Sequence, residues 1–91
     1  MELKWTEKAS SGLARLYEFL VPENSTAAEK TVQTLARAPS KLLANTRLGE
    51  QLFQFEPREV RRILVGHYEI RYEIVKESIY VLRLWHTREA R

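Results

Sequence analysis

The chain has 91 residues and a mass of 10.7 kDa, enough for one domain over residues 1–91 and too little for a doubly wound dinucleotide fold or two catalytic domains. It is 44% hydrophobic and 30% charged, which permits a packed core and argues against wholesale disorder. It has no cysteine and no aspartate, so disulfides, thiolate metal sites, cysteine nucleophiles, aspartic dyads and Ser-His-Asp triads are all excluded. No apolar run reaches the ~20 residues of a membrane helix, and the start, Met1-Glu2-Leu3-Lys4-Trp5, does not read as a signal peptide. The expectation is a cytoplasmic protein without a membrane partner.

The net charge of +3 is unevenly placed. Residues 1–57 hold seven basic and seven acidic groups, whereas residues 58–91 hold eight basic and five acidic. Seven of those eight are arginines, whose planar forks suit phosphates and carboxylates. Either a phosphate-rich or acidic partner on that side, or a solvated sheet face, accounts for the excess.

Glu2 to Trp5 alternates polar and apolar residues and reads as a short strand. Thr6 can cap a helix whose stripe is Ala9, Leu13, Leu16, Tyr17 and Leu20, with Gly12 weakening it and Val21-Pro22 ending it. Asn24 or Ser25 can cap a second helix with the stripe Ala28, Val32, Leu35 and Ala36, stopped by Pro39. The short connection makes the two an antiparallel hairpin. Ser40 to Ala44 is expected to add a helical turn with Leu42 and Leu43 facing inward. Asn45 to Pro57, with Gly49, Phe53 and Phe55, reads as an ordered loop pinned by its aromatics.

The period then changes from helical to alternating. Val60–Val65, Tyr68–Val75 and Ile79–His86 are three strands joined by Gly66-His67 and by Lys76-Glu77-Ser78, hence an antiparallel meander. Tyr68, Ile70, Tyr72 and Ile74 share one face, and Glu69, Arg71 and Glu73 share the other. The fold class is α+β: the helical hairpin covers one face of a mainly antiparallel sheet, and the N-terminal strand joins an edge of the meander. The tail from His86 to Arg91 is polar.

The chemistry-bearing candidates are few. His67 and His86 are the only histidines and have no further ligand at useful spacing, so no metal or cofactor is expected. Of Arg61 and Arg62, neighbours in one strand, only one can join the open basic face; the other belongs at a rim or along the core edge. Arg71 and Arg83 fall on adjacent strands, with Glu69 and Glu73 flanking Arg71. Phosphate or partner binding by Arg61, Arg62, Arg71, Arg83 and Arg88, or a cross-strand lattice of ion pairs, both fit. His86 can serve as general acid or base beside Arg83 and Arg88, or can be a packed histidine at a strand end next to Trp85.

Two segments are diagnostic together: Val60-Arg61-Arg62-Ile63-Leu64-Val65-Gly66-His67-Tyr68-Glu69-Ile70-Arg71-Tyr72-Glu73-Ile74 and Ile79-Tyr80-Val81-Leu82-Arg83-Leu84-Trp85-His86-Thr87-Arg88-Glu89. This pairing closely resembles the C-terminal half of RelE/ParE superfamily toxins, and the Leu48-Gly49 step, the length and the element order agree. The resemblance implies the toxin of a bacterial type II toxin–antitoxin module, of the kind that stabilises plasmids or serves in stress responses. It implies a cognate antitoxin that binds DNA and neutralises the toxin with a wrapping tail; an acidic, amphipathic tail would suit the basic meander. The superfamily divides. RelE-like members cut messenger RNA on the ribosome, whereas ParE-like members poison DNA gyrase without being nucleases. The middle-strand place of the RelE-like catalytic arginine is taken here by Glu69. Arg62 falls near a basic position of that set and Arg88 matches a late arginine, but no tyrosine follows Arg88. The resemblance therefore implies a ParE-like, non-enzymatic gyrase inhibitor, with no catalytic residue. The alternatives are a ribosome-dependent mRNA endoribonuclease using His86, Arg88 and Arg83, and an inactive antitoxin-binding remnant.

Overall fold

The computed structural model describes residues 1–89. The elements are β1 (Glu2–Trp5), α1 (Glu7–Leu20), α2 (Ser25–Arg37), β2 (Glu50–Gln51), β3 (Glu59–Val65), β4 (Tyr68–Val75) and β5 (Ser78–His86), with 3-10 turns at Ala38–Leu43 and Phe53–Phe55. Ala90 and Arg91, part of the expected polar tail, lie outside the described residues.

Local chemistry sets the helix starts. The Thr6 hydroxyl accepts from the Ala9 N–H at 3.1 Å, and the Asn24 side chain accepts from the Ala27 N–H at 3.0 Å. Each oxygen satisfies a donor that the first helical turn leaves without a partner. Thr6 also reaches across the fold: its hydroxyl lies 2.8 Å from the Val81 carbonyl, which ties the start of α1 to β5.

The sheet order is β1-β5-β4-β3-β2. β1 runs parallel to β5 along one edge, as the expected addition to the meander, and the remaining pairings are antiparallel. Gly66 turns the β3–β4 hairpin at φ 61°, a left-handed conformation that glycine adopts without steric cost. The two-residue β2 lies within the stretch expected to be loop. It is too short for alternation to reveal, and it exists because Glu50 and Gln51 find partners in Arg62 and Arg61 of β3.

The helical hairpin covers one sheet face. Ala9, Leu35 and Leu42 pack on Ile63, Ile70, Tyr72, Ile79, Val81 and Leu84 to form the core. Three expectations about side chains need correction. Leu43 is exposed whereas Leu42 is fully buried, because the 3-10 turn presents one residue of the pair to the sheet. Tyr17 and Ala36 are also exposed, since the stripes of α1 and α2 are wider than the strip of sheet they cover. Phe53 stands in solvent and pins nothing.

The loop before β3 is held by polar contacts instead. Tyr72, fully buried, accepts from the Gly49 N–H at 3.0 Å and donates to the Thr46 carbonyl at 2.9 Å. Arg61 donates to the carbonyl of Gly49 at 2.7 Å, to Gln51 at 3.3 Å and to Glu59 at 2.9 Å. Burial raises the Tyr72 phenol above its ordinary value of 10.0, so it remains a neutral donor through neutral and mildly alkaline pH. Tyr72→Phe would leave the buried Gly49 N–H and the Thr46 carbonyl without their partner. The expected loss is about 1–3 kcal/mol, read as a lower urea midpoint with an unchanged slope.

Candidate functional site

The register of the meander organises the arginines. Arg62 lies opposite Arg71, and Arg71 lies opposite Arg83, so the three form one row across β3, β4 and β5. Directly opposed residues share a face, and this row occupies the face away from the helices. Glu50 of β2 extends it opposite Arg62. One step along, Leu64, Glu69 and Trp85 form the next row on the same face.

Glu69 is the centre of this arrangement. It is buried, at 7% exposure, on a face rich in charge. One carboxylate oxygen receives Arg62 at 3.3 Å and the other receives Arg71 at 3.2 Å. Arg62 also pairs with Glu50 at 2.8 Å. The Arg71 guanidinium lies over the rings of Trp85, 4.7 Å from the centroid, and of Phe55, at 5.3 Å. Its Nε is buried and has no hydrogen-bond partner, so ring faces provide part of its surroundings. Arg83 is exposed, sits 5.6 Å from the Trp85 ring, and has no carboxylate partner among the described residues. Glu50, Arg62, Glu69 and Arg71 thus form a cross-strand lattice of ion pairs, and among the described residues Arg83 stands outside it.

A β-bulge places the remaining candidates. Arg71 opposes Arg83, yet the next residue, Tyr72, opposes Val81, so Leu82 is the extra residue of β5. Past the bulge the alternation is inverted. Arg83 and Trp85 join the open face, while Leu84 and His86 join Ile79 and Val81 on the helix side. His86 opposes Tyr68 and meets its ring edge-on at 5.2 Å. It also stacks on His67 at 5.9 Å. His86 and the Arg62–Arg71–Arg83 row therefore lie on opposite faces of one sheet. Of the five arginines singled out by sequence, three are brought together, Arg61 is engaged in holding the β2 loop, and Arg88 lies beyond β5 near His86.

A family model described as "ParE toxin of type II toxin-antitoxin system, parDE" matches residues 3–91. The chain belongs to the ParE toxin family. A solved structure described as "Chromosomal ParDE TA system from P. aeruginosa" superposes with a TM-score of 0.80 at 25% identity, covering 94% of this chain and 95% of that one. No curated protein matches.

In this ParE-family chain the helix side carries a feature that sequence reasoning missed. A groove of about 610 Å³ opens between α1 and the end of β5, lined in part by Leu16, Phe19, Tyr68, Leu84, His86 and Arg88. The exposed aromatic Phe19 was a signal for it in the sequence, since it breaks the polar side of α1, but only the bulge brings Leu84 and His86 beneath it. Among the described residues no group of three or more His, Cys, Asp or Glu could hold a metal ion, and no helix is long and apolar enough to cross a membrane.

Two bidentate pairs brace the sheet: Arg47 on Glu59, at 2.8 and 2.9 Å, and Arg58 on Glu73, at 3.0 and 2.8 Å. The Arg47 hydrogen bonds hold Glu59, and the Arg58 hydrogen bonds hold Glu73, below the ordinary carboxylate value of 4.5. A depressed carboxylate adds stability above its unfolded value, and that stability is lost as pH falls through the lower folded value. Acidification below about pH 4.5 should therefore lower the urea midpoint. Arg47→Ala and Arg58→Ala together should flatten that part of the profile.

Proposed function

We propose that this ParE-family chain, as one toxin domain over residues 1–91 acting in the cytoplasm, inhibits DNA gyrase as a binding poison and is neutralised by a cognate antitoxin. The observation that carries the reading is Glu69 clamped between Arg62 and Arg71. A nuclease that stabilises a developing phosphorane needs unneutralised donors aimed at the phosphate. Here a carboxylate, Glu69 in the adjacent row, is bound to Arg62 and Arg71 and would repel one. The separation of His86 from that row, on the other face of the sheet, supports the same reading, because an acid–base group must lie within hydrogen-bond reach of the bond it serves. Arg83 and Arg88 then act as contact residues on a protein or DNA partner, with no catalytic duty.

The test is a supercoiling and cleavage assay with purified gyrase. The expected result is accumulation of linear, gyrase-linked DNA, prevented by an equimolar antitoxin. His86→Ala with Arg88→Ala is expected to weaken that effect at most. Intact gyrase activity, together with ribosome-dependent messenger cleavage lost in the same double variant, would establish the endoribonuclease reading instead.

A further inference from the structure

The turn that follows β5 is built around one side chain. His86 ends the strand, and three of its atoms are hydrogen-bonded within residues 86–89. Its backbone N–H donates to Glu89 Oε1 at 2.8 Å, its carbonyl accepts from the Glu89 N–H at 2.9 Å, and its ring Nδ1 accepts from the Arg88 N–H at 3.1 Å. The last of these is the bond an asparagine makes in a turn, where a side-chain acceptor takes the N–H two residues on. The ring makes it only while Nδ1 carries a lone pair, which requires the neutral form with its proton on Nε2. A further bond, from the Thr87 N–H to the His67 carbonyl at 2.8 Å, joins backbone groups alone and does not depend on protonation.

Protonation replaces that lone pair with an N–H, and two donors then face each other. The charged and ionisable groups around the ring come from every element packed against it. Arg15 of α1 and Arg88 line the same groove as His86. His67, itself ionisable, stacks on the ring at 5.9 Å, and Tyr68 of β4 meets it edge-on at 5.2 Å. Glu89 is the carboxylate lining this groove, and its Oε1 is held by the His86 backbone N–H. Glu69, next to Tyr68 in β4, faces the other side of the sheet. The closed turn therefore accepts the neutral ring, and the open turn accepts either form, so acid favours opening.

We propose that His86 is a proton-operated latch on the C-terminal turn. Neutral, its Nδ1 holds the Arg88 N–H and keeps the turn closed; protonated, it releases that N–H and lets residues 88 and 89 move while Thr87 stays bound to His67. Arg88 and Glu89 form part of the wall of the groove between α1 and β5, so the latch couples the shape and charge of that groove to pH. The bulge in β5 makes this possible, since it turns His86 to the helix side, where the groove lies. One solvent-exposed hydrogen bond sets the amplitude, a change of roughly threefold to tenfold in the ratio of closed to open turn. The device does not depend on which partner or target the chain binds.

The experiment is an NMR titration of the full chain from about pH 8 to about pH 5, which spans the ordinary histidine value of ~6.5. This range lies above that in which the Glu59 and Glu73 pairs are lost. The Arg88 amide is expected to shift with the midpoint of the His86 ring and to lose protection from exchange, relative to its intrinsic rate, by roughly threefold to tenfold. The Thr87 amide should keep its protection. In His86→Asn the side-chain oxygen can accept the same N–H at every pH, so the Arg88 amide should be as protected at the acid end as at the alkaline end. Glu89→Gln alters an exposed side chain, keeps an acceptor for the His86 N–H and removes the negative charge, so the midpoints of the ring and of the Arg88 amide should move together to lower pH. An Arg88 amide that stays unchanged while the His86 ring titrates would overturn the latch. So would an Arg88 inflection that persists in His86→Asn, or one that stays in place in Glu89→Gln while the ring midpoint moves.

Discussion

Gly49→Ala should destabilise the chain by about 2–3 kcal/mol, within the range of overpacking in a tight interior. A Cβ at this position would sit 2.5 Å from the Arg62 carbonyl oxygen and 2.9 Å from both Cε1 and the hydroxyl of Tyr72. The nearest atom is backbone inside the β3 ladder, so it has little freedom to move away. The other two belong to a buried ring whose hydroxyl is committed to the Gly49 N–H and the Thr46 carbonyl. Relief requires either the loss of those hydrogen bonds or withdrawal of β2 from β3. The thermal midpoint should fall by roughly 10–20 °C, given ~4–8 °C per kcal/mol for a domain of this size. The Tyr72→Phe, Gly49→Ala double variant should lose less than the two single changes added together, because both act on one contact. Strict additivity would show that the clash and the hydrogen bonds act independently.

Glu69→Ala is the second large effect. The carboxylate is buried, and it is shared by Arg62 and Arg71. Removing it leaves two guanidinium groups facing each other across the β3–β4 ladder, with Arg83 opposite Arg71 on the next strand. Breaking a fully buried pair costs ~3–5 kcal/mol. The arginines here are partly exposed, so water compensates some of the loss, and about 2 kcal/mol is the expected destabilisation. Added salt should restore part of it, since the residual effect is repulsion among like charges near solvent. Glu69→Gln should be milder, because the amide oxygen still accepts one hydrogen bond. A melting temperature unchanged in Glu69→Ala would mean that Glu50, the aromatic rings and solvent suffice to accommodate Arg62 and Arg71.

The clamp on Glu69 engages Arg62 and Arg71 and leaves Arg83 outside it. On the helix side Arg15 and Arg88, which have no carboxylate partner among the described residues, lie beside apolar surface.

Much of this could be read from residue order. Thr6 and Asn24 mark the helix starts through oxygens that accept backbone N–H groups, and the alternation from Tyr68 to Ile74 fixes which side of β4 is apolar. The separation of Arg61 from Arg62 follows from the two-residue period alone. Other features are non-local. β2 has only two residues, so its existence depends on partners in β3 and on Tyr72, which lies more than twenty positions away along the chain. Phe53 and Phe55 are two apart and chemically identical, yet one is exposed and the other lies beneath Arg71, because the 3-10 turn gives them different surroundings. The bulge at Leu82 is the decisive case. Alternation counted from Ile79 would put Arg83 with the core and His86 away from the helices. One extra residue, in a strand whose pairing with β4 must keep both Val81 and Leu84 on the core side, reverses that assignment. Sequence determined that this protein has a basic meander, a helical hairpin and one late histidine. The tertiary structure decided which face each of them serves, since the face of every residue after the bulge is set by burial across strands and not by position along the chain.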